Sequence, residues 1–158
     1  MKDGNLDDVD REILYRLQRD ARHTSSGDIA AGMDVSASTV RNRIQRLEAA
    51  GIIRGYHVDI DYEAAGYPLY TKLVCTAPVD EREELVRRAL DVPGVVAVRE
   101  VMTGDENVYI NAVGRDHDDL NRIGRELSGL GLRITDEVLI RDEYVRPYRG
   151  FHDRERPD

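Results

Sequence analysis

The residues best equipped to meet a partner lie between Val35 and Tyr56, in the stretch VSASTVRNRIQRLEAAGIIRGY. At about 100° per residue on a helix, Val40, Ile44 and Leu47 share one side, while Ser38, Asn42 and Gln45 lie opposite and Arg41 and Arg46 flank them. The inner stripe can dock. The outer face offers hydroxyl, amide and guanidinium groups, with no acid before Glu48. Guanidinium pairs with phosphate, and Asn, Gln and Ser hydrogen-bond base edges in the major groove, so this is chemistry suited to duplex DNA. The candidate contacts are Ser38, Thr39, Arg41, Asn42, Arg43, Gln45, Arg46 and Arg54. Arg43 sits toward the border of the buried stripe, where it can instead pin the first helix through an acid. A helix facing only water is the alternative reading, so the choice rests on whether a platform presents it.

Upstream residues supply that platform. LDDVDREILYRLQRDAR predicts a first helix capped by the pair Asp7 and Asp10, with Val9, Ile13, Leu14, Leu17 and Ala21 as its apolar stripe. SSGDIAAGMD predicts a short second helix with Ser25 and Asp28 at capping spacing and Ile29 and Met33 turned inward. Asp34 and Val35 form the turn, and Ser36 or Ser38 caps the third helix. Three helices in this order, the last polar outside, make a helix-turn-helix head. Beyond Gly51, IIRGYHVDID alternates as a strand, read as a hinge rather than a full wing.

Charge supports the same placement. The first 56 residues hold nine basic and nine acidic side chains, and the rest hold 14 against 22, so the whole acid excess lies in the second half. Only Lys2 and Lys72 are lysines, and Asp outnumbers Glu 19 to 12. Such a surface suits a cytoplasm of very high salt, as in a halophilic archaeon, with an ordinary acidic protein as the alternative. At 1 M salt the Debye length is about 3 Å, and counterion release no longer rewards phosphate contacts, so affinity would rest on base contacts and on joining several heads.

The single cysteine, Cys75, excludes an intrachain disulfide and reads as a core residue in a strand. His23, His57, His117 and His152 lie far apart, and no metal site or cofactor is expected. No apolar run approaches the ~20 residues of a membrane span, and no leader pattern precedes the first helix, so a cytoplasmic protein is expected.

The pieces LDDVDREILYRLQRDAR, DIAAGMDVS, STVRNRIQRLEAAGIIRGYHVDID and YEAAGY resemble the Lrp/AsnC, or feast/famine, transcriptional regulators, with Arg43 to Glu48 matching that family's R-I-x-R-L-E core. The loop RHTSSGD is a residue longer than the family usually has. The resemblance implies a DNA-binding regulator whose second half binds an amino-acid effector, dimerises and often assembles into octamers.

That second half changes from helical to mixed patterning. YPLYTKLVCTA, VVAVREVMTG, NVYINAVG and RITDEVLIRDEYVR read as strands, DEREELVRRAL and HDDLNRIGRELSGL as helices. Asp80 and Asp116 are the expected helix caps, Pro93-Gly94 a break, and Gly104 to Asn107 a hairpin turn. The fold class is therefore α+β: a winged-helix-like helix-turn-helix domain (1–56), a hinge strand and linker (57–66), and a ferredoxin-like βαββαβ domain of RAM/ACT-like type (67–148). A loose tail (149–158) is expected to follow. Leu69, Leu73, Val96, Val98, Val108 and Ile110 form one alternate apolar set, and the pattern leaves open which set lies under the helices. Face-to-face pairing of two sheets in a two-fold homodimer is the simple way to cover the other.

In the resembled family, effectors bind at a glycine-containing loop between the second and third strands. Here it reads TGDEN: Thr103 and Gly104 match, Asn107 stands where Asp is common, and Asp105 or Glu106 can supply the missing charge. A plain tight hairpin explains the same residues. Two other classes remain open: an enzyme resembling the siroheme decarboxylases, which rely on histidine and arginine that this loop lacks in part, having no histidine, and a low-specificity DNA-organising protein.

Overall fold

Asp7 begins the structure's first helix as the spacing predicts. Its carboxylate accepts from the Asp10 N–H at 2.9 Å, and Asp10 reaches back to the Asp7 N–H, closing a capping box on α1 (Asp8–Asp20). Ser25 and Asp28 do the same for α2 (Ser26–Ala31), and Ser36 caps α3 (Ala37–Ala49). The computed structural model describes residues 6–102 and 104–151. Among them, two compact units form: one of 6–58 with 144–151, the other of 59–143.

The first unit packs α1, α2 and α3 around Ile13, Leu14, Ile29, Val40 and Leu47, with Val9, Leu17, Met33, Ile44 and Ile53 at the margins. Ala21, expected on the apolar stripe, is instead the exposed C-cap of α1. Gly51, at φ 69°, lets the chain reverse after α3, so that the Ile52 and Ile53 N–H groups both bond the Leu47 carbonyl. The expected hinge strand does not form: residues 54–61 have no ladder partner among the described residues and leave Tyr56, Val58 and Ile60 exposed. A strand needs a neighbour, and alternation alone supplies none.

The second unit follows the βαββαβ order. Strands β1 (Leu69–Thr76), β2 (Val95–Glu100), β3 (Val108–Gly114) and β4 (Arg133–Ile140) form one antiparallel sheet in the order β2-β3-β1-β4, with α4 (Arg82–Leu90) after β1 and α5 (His117–Leu130) after β3. Beneath the helices lie Leu73, Cys75, Val108, Ile110 and Ala112, packed on Leu85, Ala89, Ile123 and Leu127, with Val98 beside them. Gly94, at φ 101°, breaks α4 from β2 where a Cβ would stand 2.6 Å from Ile123 Cδ1 and 2.9 Å from the Val113 carbonyl.

Three further expectations are corrected. Asp80 does not cap α4; Glu81 occupies that position in helical backbone with no side-chain bond, because a turn through the Pro78 carbonyl leads into the helix. The last strand ends at Ile140, not near Arg146, since its one neighbour, β1, starts at Leu69 and offers nothing further to pair with. The sheet phase that the pattern left open is decided by packing: Leu73, Val98, Val108 and Ile110 all go under the helices, and the open face carries Lys72, Arg99, Tyr109 and Asn111 among its valines. Finally, the tail is not loose where it is described, because Arg149–Phe151 forms a 3-10 turn and Phe151 packs on the first unit's core. Residues 152–158 of that expected tail, His152 among them, lie outside the described residues, as does Lys2.

Candidate nucleic-acid interface and effector loop

At the start of α3, Ser36 Oγ accepts from the Thr39 N–H at 3.1 Å and lies 2.8 Å from Ser38 Oγ and 2.9 Å from Thr39 Oγ1. The hydroxyls of Ser38 and Thr39 are thus gathered around the cap, with Ser38 exposed and Thr39 half-buried. One turn on, Asn42 and Gln45 stand exposed on the helix face opposite Val40 and Leu47, with exposed Arg41 on their flank. Arg41 and Arg54 have no ion-pair partner among the described residues.

The other two arginines of α3 are occupied. Asp10 is only 1% exposed, and its carboxylate receives Arg46 Nη2 at 2.5 Å and Arg43 Nη1 at 3.4 Å; Arg43 Nη1 also reaches Asp7 at 2.7 Å. A buried carboxylate needs such donors to offset its desolvation. The Asp10 N–H, and after it Arg43, hold the Asp7 carboxyl below the ordinary carboxylate range. Asp10 therefore serves twice, closing the α1 capping box and bracing α3. Capping spacing revealed the first role; the second joins residues 33 and 36 positions apart, which no local pattern signals. Arg46 remains 56% exposed, so its outer edge still faces solvent.

The expected effector loop is less uniform. Gly104 turns at φ 90°, Asp105 is exposed, and Glu106 accepts from Thr135 Oγ1 at 3.2 Å. Thr103 lies outside the described residues. Asn107 is 5% exposed and its amide clamps the end of β1: Oδ1 accepts from the Ala77 N–H and Nδ2 donates to the Ala77 carbonyl, both at 2.9 Å. That geometry makes it a structural link between β1 and β3, a role its place in a polar loop did not suggest.

Sequence reasoning also missed a cleft of about 330 Å³ on the open sheet face, lined by Lys72, Arg99, Tyr109, Asn111, Asp142 and Glu143. Lys72 Nζ lies 5.2 Å from the Tyr109 ring centroid, Asn111 Nδ2 donates to Tyr70 Oη at 2.6 Å, and Tyr70 Oη donates to Glu143 at 3.4 Å. Asn111 Oδ1 is buried without a hydrogen-bond partner among the described residues. The polar phase of the alternation, Tyr70-Lys72 against Tyr109-Asn111, was the available signal. Burial pushes the Cys75 thiol up to about 11, as suits an inert core residue. Among the described residues no group of His, Cys, Asp and Glu is placed to hold a metal ion, and no helix is long and apolar enough to cross a membrane.

A helix-turn-helix head joined to a ferredoxin-like unit defines a class of DNA-binding regulator, and comparison with known proteins agrees. Residues 6–54 match the family described as winged helix-turn-helix DNA-binding. The chain is similar to the uncharacterised HTH-type transcriptional regulator PH1692 of Pyrococcus horikoshii, 35% identical over 117 residues that cover 74% of this chain and 78% of the relative. It is 31% identical over 121 residues to the HTH-type transcriptional regulator AldR of Mycolicibacterium smegmatis, covering 75% of this chain and 70% of that one. Two solved structures share the fold. The leucine response regulatory protein LrpA of Mycobacterium tuberculosis has a TM-score of 0.76 at 24% identity, covering 89% and 96% of the two chains. The regulator NMB0573 of Neisseria meningitidis, solved with L-Met, has a TM-score of 0.73 at 23% identity, covering 90% and 94%. The chain belongs to the Lrp/AsnC family of HTH-type transcriptional regulators.

Proposed function

We propose that this regulator reads duplex DNA through Arg41, Asn42 and Gln45 on α3, with Ser38, Thr39 and Arg54 contacting the backbone and Arg43 and Arg46 acting mainly as struts to Asp10. One observation carries the reading: three amide and guanidinium side chains share the exposed face of a helix that acids of α1 anchor from behind. Amides reading bases supply sequence preference, and guanidiniums on phosphates supply affinity.

The active form in this reading is a cytoplasmic homodimer, able to serve as the unit of an octamer, with the second copy covering the open sheet face. Lys72 and Arg99 across from Asp142 and Glu143 make that face self-complementary under a two-fold axis, and a donor from the second copy would satisfy Asn111 Oδ1 there. A small-molecule effector, an amino acid, is assigned to the 103–107 loop, where Asp105 and Glu106 can take its ammonium; the L-Met complex of the N. meningitidis neighbour supports that class. No catalysis is assigned, which the naming of the relatives as transcriptional regulators supports; copurified tetrapyrrole colour would favour the enzyme instead.

The test is fluorescence anisotropy on a selected binding site and on scrambled DNA. Asn42→Ala with Gln45→Ala should lose about 1–3 kcal/mol per base contact on the selected site and little on scrambled DNA. Equal losses on both would contradict the assignment.

A further inference from the structure

The C-terminal segment beyond β4 runs back to the helix-turn-helix head. After Ile140 the chain forms no helix or strand through Pro147, and from Tyr144 it belongs to the unit that contains α1–α3. The Tyr148 N–H donates to Gln18 Oε1 on α1 at 3.2 Å, 130 residues away in sequence. Arg149–Phe151 then turns as a 3-10 helix, placing the Phe151 ring edge-on to Tyr148 with centroids 5.0 Å apart and half-burying it on the cluster of Ile13, Leu14, Ile29, Val40 and Leu47. A Cβ at Gly150 would meet Tyr148 Cζ and Oη at 2.5 Å, the far end of an exposed side chain that can turn aside. A head of some 50 residues is near the lower limit for an independent core, so one added aromatic ring matters to it.

We propose that residues 147–151 are a docked strap: a peptide of this same chain, anchored by Phe151 on the core cluster beside α1, that makes the end of the chain part of the DNA-binding head. The consequence is regulatory. The helix that receives the strap also carries Asp10, which with the capping Asp7 holds Arg43 and Arg46 of α3. Residues 141–146 join the last strand of the sheet to this strap, a covalent connection separate from the 59–66 linker. In this proposal a displacement at the end of β4 is passed along residues 141–146 to α1, and through Asp10 to the helix proposed to read DNA. This regulatory step rests on the DNA reading above; the docking itself does not.

Hydrogen exchange on the full chain tests the docking directly. In Phe151→Ala, and in a chain ending at Arg146, the α1 amides around Leu14 to Gln18 should exchange at least tenfold faster, with β1 and β3 amides unchanged. Unaltered α1 exchange in both variants overturns the proposal. In a Cys75→Ser background, Gln18→Cys with Arg149→Cys joined by a short bis-maleimide should migrate at monomer mass on a denaturing gel; a dimer-mass product would assign the strap to a second copy and refute docking within one chain. The same two strap variants should bind duplex DNA several-fold more weakly than the unaltered protein; affinity equal to it, with α1 exchange raised, refutes the regulatory route alone. If the unaltered protein binds no duplex, the DNA reading fails while the exchange result still decides the strap.

Discussion

Replacing Asp10 with Asn removes one buried charge and little else. The amide keeps the volume and an acceptor for the Asp7 N–H, so the capping box can persist, but Arg46 Nη2 at 2.5 Å and Arg43 Nη1 at 3.4 Å lose their anion. A hydrogen bond to a charged group contributes about 1.5–3 kcal/mol, and two are weakened here. Arg46 is 56% exposed and recovers hydration, and Arg43 retains Asp7, so the combined loss is discounted to about 2 kcal/mol. For a unit of this size about 4–8 °C accompanies each kcal/mol, and the head's melting temperature should drop by about 8–16 °C in far-UV circular dichroism. A cycle of Asp10→Asn with Arg46→Ala should show coupling of about 1 kcal/mol or more. On DNA, Arg46→Ala should leave the slope of log affinity against log salt nearly unchanged, whereas loss of a phosphate contact lowers it by about 0.9. A melting point within about 2 °C of the parent, additive single effects, or a slope reduced by a full contact would each refute the strut.

Other outcomes follow from the same geometry. Asn107→Asp keeps an acceptor for the Ala77 N–H but cannot donate to the Ala77 carbonyl, so urea unfolding should show a loss of about 2–4 kcal/mol; unchanged stability with altered amino-acid binding would return the residue to the effector loop. Because the folded Asp7 carboxyl titrates below its ordinary value of 3.8, its contribution is complete above that value and disappears as pH falls through the folded one. Asp7→Asn should accordingly flatten the fall in stability below about pH 4, and an unchanged acid profile would count against the pairing. With Lys2 and Lys72 the only lysines, and base contacts favoured over phosphate contacts, gel shifts on a selected site should persist at about 1 M KCl; complete loss by a few hundred millimolar would exclude adaptation to high salt.

Features set by neighbours along the chain are legible in the order of residues. Asp7 with Asp10, Ser25 with Asp28, Ser36 ahead of α3 and Asp116 ahead of α5 cap their helices as expected, because a cap is a bond between residues three apart. The βαββαβ order is legible for the same reason: each element announces its own period. Period 2 cannot, however, say which phase is buried, and the open face proved to be the one with Lys72, Tyr109 and Asn111. Nor did alternation make a strand of residues 54–61, where the partner needed for hydrogen bonding is missing among the described residues.

What the linear order of residues determined by itself, then, is the five helices α1–α5 and the four strands of the sheet, the caps of α1, α2, α3 and α5, and the amide-and-guanidinium face of α3. Only the tertiary structure assigned Arg46 to Asp10, Asn107 to Ala77 and Phe151 to the head, joining residues 36, 30 and more than 100 positions apart. The physical reason is common to all three. A long side chain offers the same donors or the same ring wherever it lies in a sequence, and which group it meets depends on elements brought together by burying their apolar faces.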